Sequence, residues 1–396
     1  MITSFKTEQL GVGFDFDINL EADKQIYCFI GKNGIGKTQL LEAMAKSLIY
    51  CHSIFKSPDQ NLKFSGLCRE KVVYDKFNAH TIKLPTDIVL NSIKIKDKFL
   101  DHHGFISFQY LLSNRRDADF VYDKPIVFVG AKNRGFTKNI DSNNIKILSD
   151  RQNRFAESFG RTLSYIDGDG LEHQEIADWF ASRLIINPNF VVTNQDKTQE
   201  AVTVLKLIDK LEPDIKLVKK NENGDISLKI TFSEGELYIN MIPLDKLSTG
   251  YISIIKIFQE IIAGYSGWTN ETNLNEVEGI VFIDEIEPHL HISWQTKIIG
   301  ILREFFPKTT FYISTHSPLV LAGLKSEEGY ELIREGDVVK AKTIHHIENY
   351  FLNDIVTEFF GVDLNIDKIA HVDKEKQKKA KKLLLNLINS LPEERQ

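Results

Sequence analysis

Cysteine is scarce: the 396 residues hold three, Cys28, Cys51 and Cys68, and no two of them form a C-x-x-C pair. That excludes a disulfide framework and a cysteine zinc site, and leaves buried or free thiols in a reducing compartment. No run approaches the roughly 18 apolar residues of a membrane-spanning helix. The start, MITSFKTEQLGVGFDFDINL, lacks the charged and apolar regions of a secretory signal. The expectation is a cytoplasmic chain with no membrane association. A surplus of positive charge is missing too. With a formal net charge of −6, the surface as a whole is not built to hold nucleic acid non-specifically. No internal repeat or sustained heptad run is visible, which excludes a solenoid and a long coiled coil.

What is present begins with Gly31-Lys32-Asn33-Gly34-Ile35-Gly36-Lys37-Thr38. It matches G-x-x-x-x-G-K-[ST], between the apolar run Ile26–Ile30 and a segment of helical spacing, QLLEAMAKSLIY. Strand, glycine loop and helix are the context that a phosphate cradle requires. Glycines let backbone N–H groups turn inward, and the helix N-terminus adds a positive dipole end. Lys37 is expected to reach the β- and γ-phosphates of ATP, and the Thr38 hydroxyl to ligate Mg²⁺. A second apolar strand, GIVFI, ends in Asp284-Glu285. After such a loop, Asp284 is expected to hold the metal and Glu285 to polarise the attacking water. Leu247-Ser248-Thr249-Gly250, before a long helical pattern, is expected to form an anion-binding corner. In Tyr312-Ile313-Ser314-Thr315-His316-Ser317, His316 ends a further strand and can donate to a γ-phosphate.

The order of these four motifs resembles that of ABC-type ATPases. There the serine-glycine motif of one subunit caps the phosphate held by the glycine loop of another. The 210 residues from Thr38 to Ser248 and the segment IDEIEPHLHISWQ depart from the transporter pattern. They look like the heads of the OLD family and related SMC- and RecF-like ATPases, in which Asp-Glu is followed by Glu-Pro-x-x-His. Tyr251 stands where many such signatures carry Gln, and Ile286 replaces the Pro that often follows the Asp-Glu pair. The resemblance implies an α/β P-loop ABC-type head with N-terminal antiparallel strands and a mostly helical insertion. The head would be split over 1–50 and 222–345. Residues 51–221 would form an insertion or lid that partly returns to the head, and 346–396 a helical tail.

The same resemblance implies a slow ATPase, paired as a homodimer with composite ATP sites and open to higher assembly. Only 80 residues follow His316, too few for the Toprim nuclease of OLD proteins. YIDGDG at 165–170 and His345-His346 read as a turn and an incomplete metal set. The combination resembles the ATPase subunits of two-gene anti-phage systems of the Septu, PARIS and retron-linked kinds, in which a neighbouring gene supplies a nuclease or toxin. A RecF-like ATPase that closes on DNA is the alternative. Gln109 in FISFQY is a candidate Mg²⁺ contact or a plain strand residue, and Asn133 and Arg134 are expected to line the nucleotide site or the base of the insertion, or to sit in an ordinary loop. The stretch Lys124–Arg161 has eight Lys or Arg against three acids. It reads as a nucleic-acid contact or a solvated basic face, as does Lys374–Lys382 with its six lysines.

Overall fold

A computed structural model of the protein describes residues 1–8, 13–53, 81–83, 87–95, 105–107, 122–132, 134–138, 140, 148, 151–166, 175–185, 197–361, 378–379 and 381–382. The chain divides into two compact units, Met1–Asn349 and Tyr350–Gln396.

A ten-stranded sheet organises the larger unit. Its strands in chain order are β1 (Ser4–Glu8), β2 (Asp15–Asn19), β3 (Ile26–Ile30), β4 (Asp87–Leu90) and β5 (Ile93–Ile95), then β6 (Ile126–Val129), β7 (Gly279–Ile283), β8 (Thr309–Ser314), β9 (Gly329–Glu335) and β10 (Val338–Ile344). In space they run β5-β4-β1-β2-β10-β9-β3-β8-β7-β6. The half from β9 to β6 is parallel throughout. The neighbours β5, β4, β1 and β2 are antiparallel. β3, β6 and β7 bury every residue. Strands covered on both faces require this, and it accounts for their unbroken apolar runs.

A ladder of aromatic rings fixes the register of the parallel half. Phe128 stacks on Phe282, Phe282 on Tyr312 at 5.2 Å, Tyr312 on Tyr27 at 4.9 Å, and Tyr27 on Tyr330. These rings share a core with Leu40, Leu41, Met44 and Leu48 of helix α1 (Lys37–Tyr50). A slip by one residue would turn the whole ladder to the opposite face.

The other helices are α2 (Arg151–Ile166), α3 (Ile176–Leu184), α4 (Thr198–Leu211), α5 (Thr249–Trp268), α6 (Ile292–Phe305), α7 (Pro318–Leu321) and α8 (Leu352–Phe360). The segment 51–221 therefore holds α2, α3 and α4, and also returns β4, β5 and β6 to the sheet. A hairpin forms between Ile230–Ser233 and Glu236–Ile239 around Glu234-Gly235, with positive φ at both turn residues. In the smaller unit α8 ends at Gly361, whose φ of 68° suits a left-handed C-terminal cap. Among the described residues no helix is long and apolar enough to cross a membrane.

α5 buries every residue after Thr249, so its charged side chains need partners. Lys256 pairs with Glu260 at 3.2 Å, and Arg161 of α2 reaches the same carboxylate at 3.1 Å. On α4, Glu200 takes Arg183 of α3 at 2.8 Å, Lys197 at 3.1 Å and the Ser266 hydroxyl of α5 at 2.5 Å. Burial alone would raise both carboxyls, but the surrounding cations and hydrogen bonds outweigh it and hold both below the ordinary carboxylate range. A depressed carboxyl stabilises the fold above its unfolded value, about 4.3, and stops doing so as pH falls through its native value. Glu200→Ala, which strands Arg183 in the interior, is expected to cost about 3–5 kcal/mol at pH 7. The urea midpoint checks this, and the difference should narrow in acid below about pH 4.

Candidate functional site

The C-terminal ends of β3, β8, β7 and β6 lie side by side, so the segments that leave them share one edge of the sheet. β3 feeds the glycine loop. Gly36 caps α1 with φ 101°, and a Cβ there would lie 2.6 Å from the Phe14 ring. The position therefore admits glycine on both grounds. Lys37 folds back over the loop and donates from Nζ to the Gly31 carbonyl at 2.8 Å and the Lys32 carbonyl at 3.3 Å. Burial lowers its ammonium below the usual lysine value, against the opposing pull of Glu285, Glu287 and Asp284.

Thr38 and Asp284, 246 residues apart in sequence, meet here. The Thr38 hydroxyl lies 3.0 Å from each carboxylate oxygen of Asp284. Ser314, the last residue of β8, donates its hydroxyl to Asp284 Oδ1 at 2.6 Å and accepts the Glu285 N–H at 2.8 Å. Glu285 occupies the left-handed region at φ 44°. His316 Nε2 stands 3.9 Å from Glu285 Oε1, so the two side chains face one point. Glu287 holds the histidine segment: its carboxylate accepts the Thr315 hydroxyl at 2.6 Å and the His316 N–H at 2.7 Å. Behind the turn, Arg134 is buried and donates from Nη2 to the carbonyls of Asp284, at 3.0 Å, and of Glu285. Burial pulls its guanidinium down to about 10 despite the nearby carboxylates.

The Leu247–Gly250 corner stands elsewhere on the chain. Ser248 is exposed and caps α5, accepting the Tyr251 N–H at 3.2 Å. A Cβ on Gly250 would lie 2.3 Å from the His289 carbonyl, and the Ser253 hydroxyl donates to the Pro288 carbonyl at 3.1 Å. Among the described residues, no hydrogen bond joins this corner to the Gly31–Thr38 loop. All eight loop residues, Gly31, Lys32, Asn33, Gly34, Ile35, Gly36, Lys37 and Thr38, together with Asp284, Glu285 and His316, thus lie at one sheet edge, while Leu247, Ser248, Thr249 and Gly250 stand apart from them. Gln109 and Asn133 lie outside the described residues. The strand before Gln109, Phe105–Ser107, pairs with Thr81–Lys83 in a small sheet of its own.

Three contributors escaped the sequence: Ser314, Glu287 and the inward aim of Arg134. Glu287 had a signal, an acid two places after Glu285 in a turn begun by Asp-Glu. The basic stretch divides between buried arginines and lysines such as Lys132 and Lys138 that are exposed. Arg134, Arg154 and Arg161 are buried, and Arg151 donates to the Trp268 carbonyl. Lys124 pairs with Glu278, and Lys138 with Glu175. Much of that positive charge is internal structure, not a face for phosphates.

Among the described residues no three His, Cys, Asp or Glu side chains cluster to hold a metal alone. A hydroxyl and a carboxylate, both hard oxygen donors, fit Mg²⁺, which keeps waters and phosphate oxygens among its ligands.

The family model described as "AAA domain, putative AbiEii toxin, Type IV TA system" matches residues 257–322, the span that carries Asp284, Glu285, Glu287 and His316. The chain is 24% identical over 371 residues to Septu protein PtuA of Bacillus thuringiensis, covering 89% of this chain and 83% of that protein. To a second Septu protein PtuA, from Bacillus mycoides (strain KBAB4), it is 24% identical over 361 residues, 88% of this chain but 42% of the longer relative. It is also 24% identical over 375 residues to the Retron Vc95 probable ATPase of Vibrio cholerae serotype O1 biovar El Tor, covering 80% of this chain and 70% of that protein. Sheet order, glycine loop and Asp-Glu turn together give the larger unit the α/β P-loop architecture that the motifs led one to expect.

Two glycine replacements should differ in sign. Gly250→Ala drives a methyl group into the His289 carbonyl and is expected to destabilise by about 1–3 kcal/mol. Gly300→Ala, in α6 with open space around it, should stabilise by about 0.5–1 kcal/mol. Thermal unfolding of the two variants beside the parent measures both.

Proposed function

We propose that the chain binds ATP with Mg²⁺ and hydrolyses it slowly, as a nucleotide-gated sensor or scaffold subunit in anti-phage defence. One observation carries the ATPase reading: Thr38 of the glycine loop and Ser314 converge on the Asp284 carboxylate, with Glu285 and His316 aimed together beside it. Gly31, Lys32, Asn33, Gly34, Ile35 and Gly36 then offer backbone N–H groups to the phosphates at the α1 N-terminus. Lys37 exchanges its two carbonyl partners for the β- and γ-phosphate oxygens. Thr38 and Asp284 hold Mg²⁺, which neutralises charge that develops on the phosphate oxygens. Glu285 polarises the water that attacks the γ-phosphate, and His316 donates to that phosphate and reports its loss.

In the corner formed by Leu247, Ser248, Thr249 and Gly250, Ser248 and Thr249 are exposed, and among the described residues no hydrogen bond joins the corner to the loop of its own chain, which supports a composite site. Two copies pair through nucleotide, and Ser248 of one caps the phosphate on Lys37 of the other. Similarity over most of the chain to the Septu and retron proteins supports the defence role. A separately encoded effector, nuclease or toxin, follows from that analogy alone, as does a cytoplasmic location.

Lys37→Ala is expected to lose ATP binding in calorimetry. Glu285→Gln is expected to keep binding, to slow hydrolysis by about 100-fold or more, and to accumulate as an ATP-bound dimer in sedimentation. Parental hydrolysis by Glu285→Gln, or no nucleotide-dependent pairing, would overturn the mechanism. Pull-down from the native host is expected to bring an effector along. Hydrolysis stimulated by DNA ends, with no companion protein, would favour a clamp on DNA instead.

A further inference from the structure

Arg134 has no obvious reason to be where it is. Its side chain is 1% exposed, and both bonds it makes come from Nη2 and end on main-chain carbonyls. Its Nε and Nη1 have no hydrogen-bond partner. A buried guanidinium ordinarily sits against a carboxylate in a two-pronged pair, so an arrangement this costly in desolvation has to be held by its surroundings.

What it grips is the peptide pair on either side of Glu285. The Glu285 φ of 44° is unfavourable for a side chain of that size. Such a conformation persists only when neighbours over-determine it. Ser314 holds the turn from β8 through the Asp284 carboxylate and the Glu285 N–H. Arg134 holds it from the opposite strand. β6 runs parallel to β7, with Val129 opposite Ile283 and the Asp284 N–H donating to the Val129 carbonyl at 3.0 Å. The chain leaving β6 is thereby brought under the turn. Gly135 keeps it there: a Cβ at that position would lie 2.9 Å from the His289 ring.

We propose that Arg134 is the positioning residue of the hydrolytic turn, fixing the Asp284 and Glu285 peptides so that the Glu285 carboxylate points at the attacking water. The proposal rests on the reading of Glu285 as the water-polarising group. Arg134 acts through the main chain of Asp284 and Glu285, to whose carbonyls it donates. A misplacement of the order of 1 Å in such a group can cost about 100-fold in rate, while ATP binding by the glycine loop is untouched.

The test is a series in the full chain: Arg134→Met, which keeps much of the volume and removes the donor, and Arg134→Lys, which brings one nitrogen back by a stem one bond shorter. ATP affinity from calorimetry and kcat from phosphate release are read for each. Arg134→Met is expected to lower kcat by about 10–100-fold with ATP affinity within about threefold of the parent. Arg134→Lys should recover part of that loss. In single-turnover measurements on a Glu285→Gln background, adding Arg134→Met should produce no further loss, because both changes remove the same contribution. A parallel fall in ATP affinity, a lysine variant no better than the methionine one, or multiplying losses in the double variant would each overturn the proposal. If Arg134→Met does not fold, Arg134→Gln replaces it in the same series. Parental hydrolysis by Glu285→Gln alone would instead sink the reading beneath it, and is told apart by that single variant.

Discussion

The site depends on one carboxylate being shared. Asp284 follows β7, and its carboxylate meets two hydroxyls from other segments, Thr38 after β3 and Ser314 at the end of β8. Neither partner is near it in sequence. The meeting is possible because three parallel strands end at the same level, and that level is set by the ring ladder from Phe128 to Tyr330. The ladder's tyrosines are themselves anchored: the Tyr312 hydroxyl donates to the Ile2 carbonyl and accepts the Ile2 N–H. Hydrophobic packing inside the sheet thus sets polar geometry at its edge.

Charge at that edge is unevenly arranged. Asp284, Glu285 and Glu287 all act on the ammonium of Lys37, which burial weakens, and the second buried cation, Arg134, faces carbonyls in place of carboxylates. Glu287 turns its oxygens to the Thr315 hydroxyl and the His316 N–H. One acid of the three therefore shapes the histidine segment, one is shared with hydroxyls, and Glu285 keeps its carboxylate free of both tasks. A carboxylate without such obligations is what water activation asks for.

The sequence made the contiguous parts of this plain. A glycine loop between a strand and a helix carries its meaning in eight residues, and an apolar strand ending in Asp-Glu gains its meaning from that loop. The strands before the glycine loop and before Asp-Glu, and the helical pattern of α5, followed from periodicity. The inward aim of Arg134 could not be read, because it is written in the pairing of β6 with β7, two segments about 150 residues apart. The same blindness applied to Arg154 and Arg161. A run of positive charge looks like a surface until the helices that bury it, and Glu260 opposite, are in place. Which edge of the sheet β4 and β5 would take was equally hidden, since short strands of that kind are decided by which edge is open to them.

The most consequential contact for a paired molecule is the small one at Gly250. On the composite-site reading, Ser248 meets nucleotide held by another copy, yet the first turn of α5 rests directly on the His289 carbonyl, four residues after Glu285. Ser253 ties the next turn of the helix to Pro288. α5 is tied to its neighbours by buried polar contacts: Glu260 pairs with Arg161 of α2, and Ser266 donates to Glu200 of α4, which itself pairs with Arg183 of α3. Any displacement at the Ser248 corner therefore moves a rigid four-helix group against the Pro288–His291 turn, and that turn continues backward into Glu287 and Glu285. On that reading, backbone packing at a glycine joins the Ser248 corner to the turn that carries Glu285.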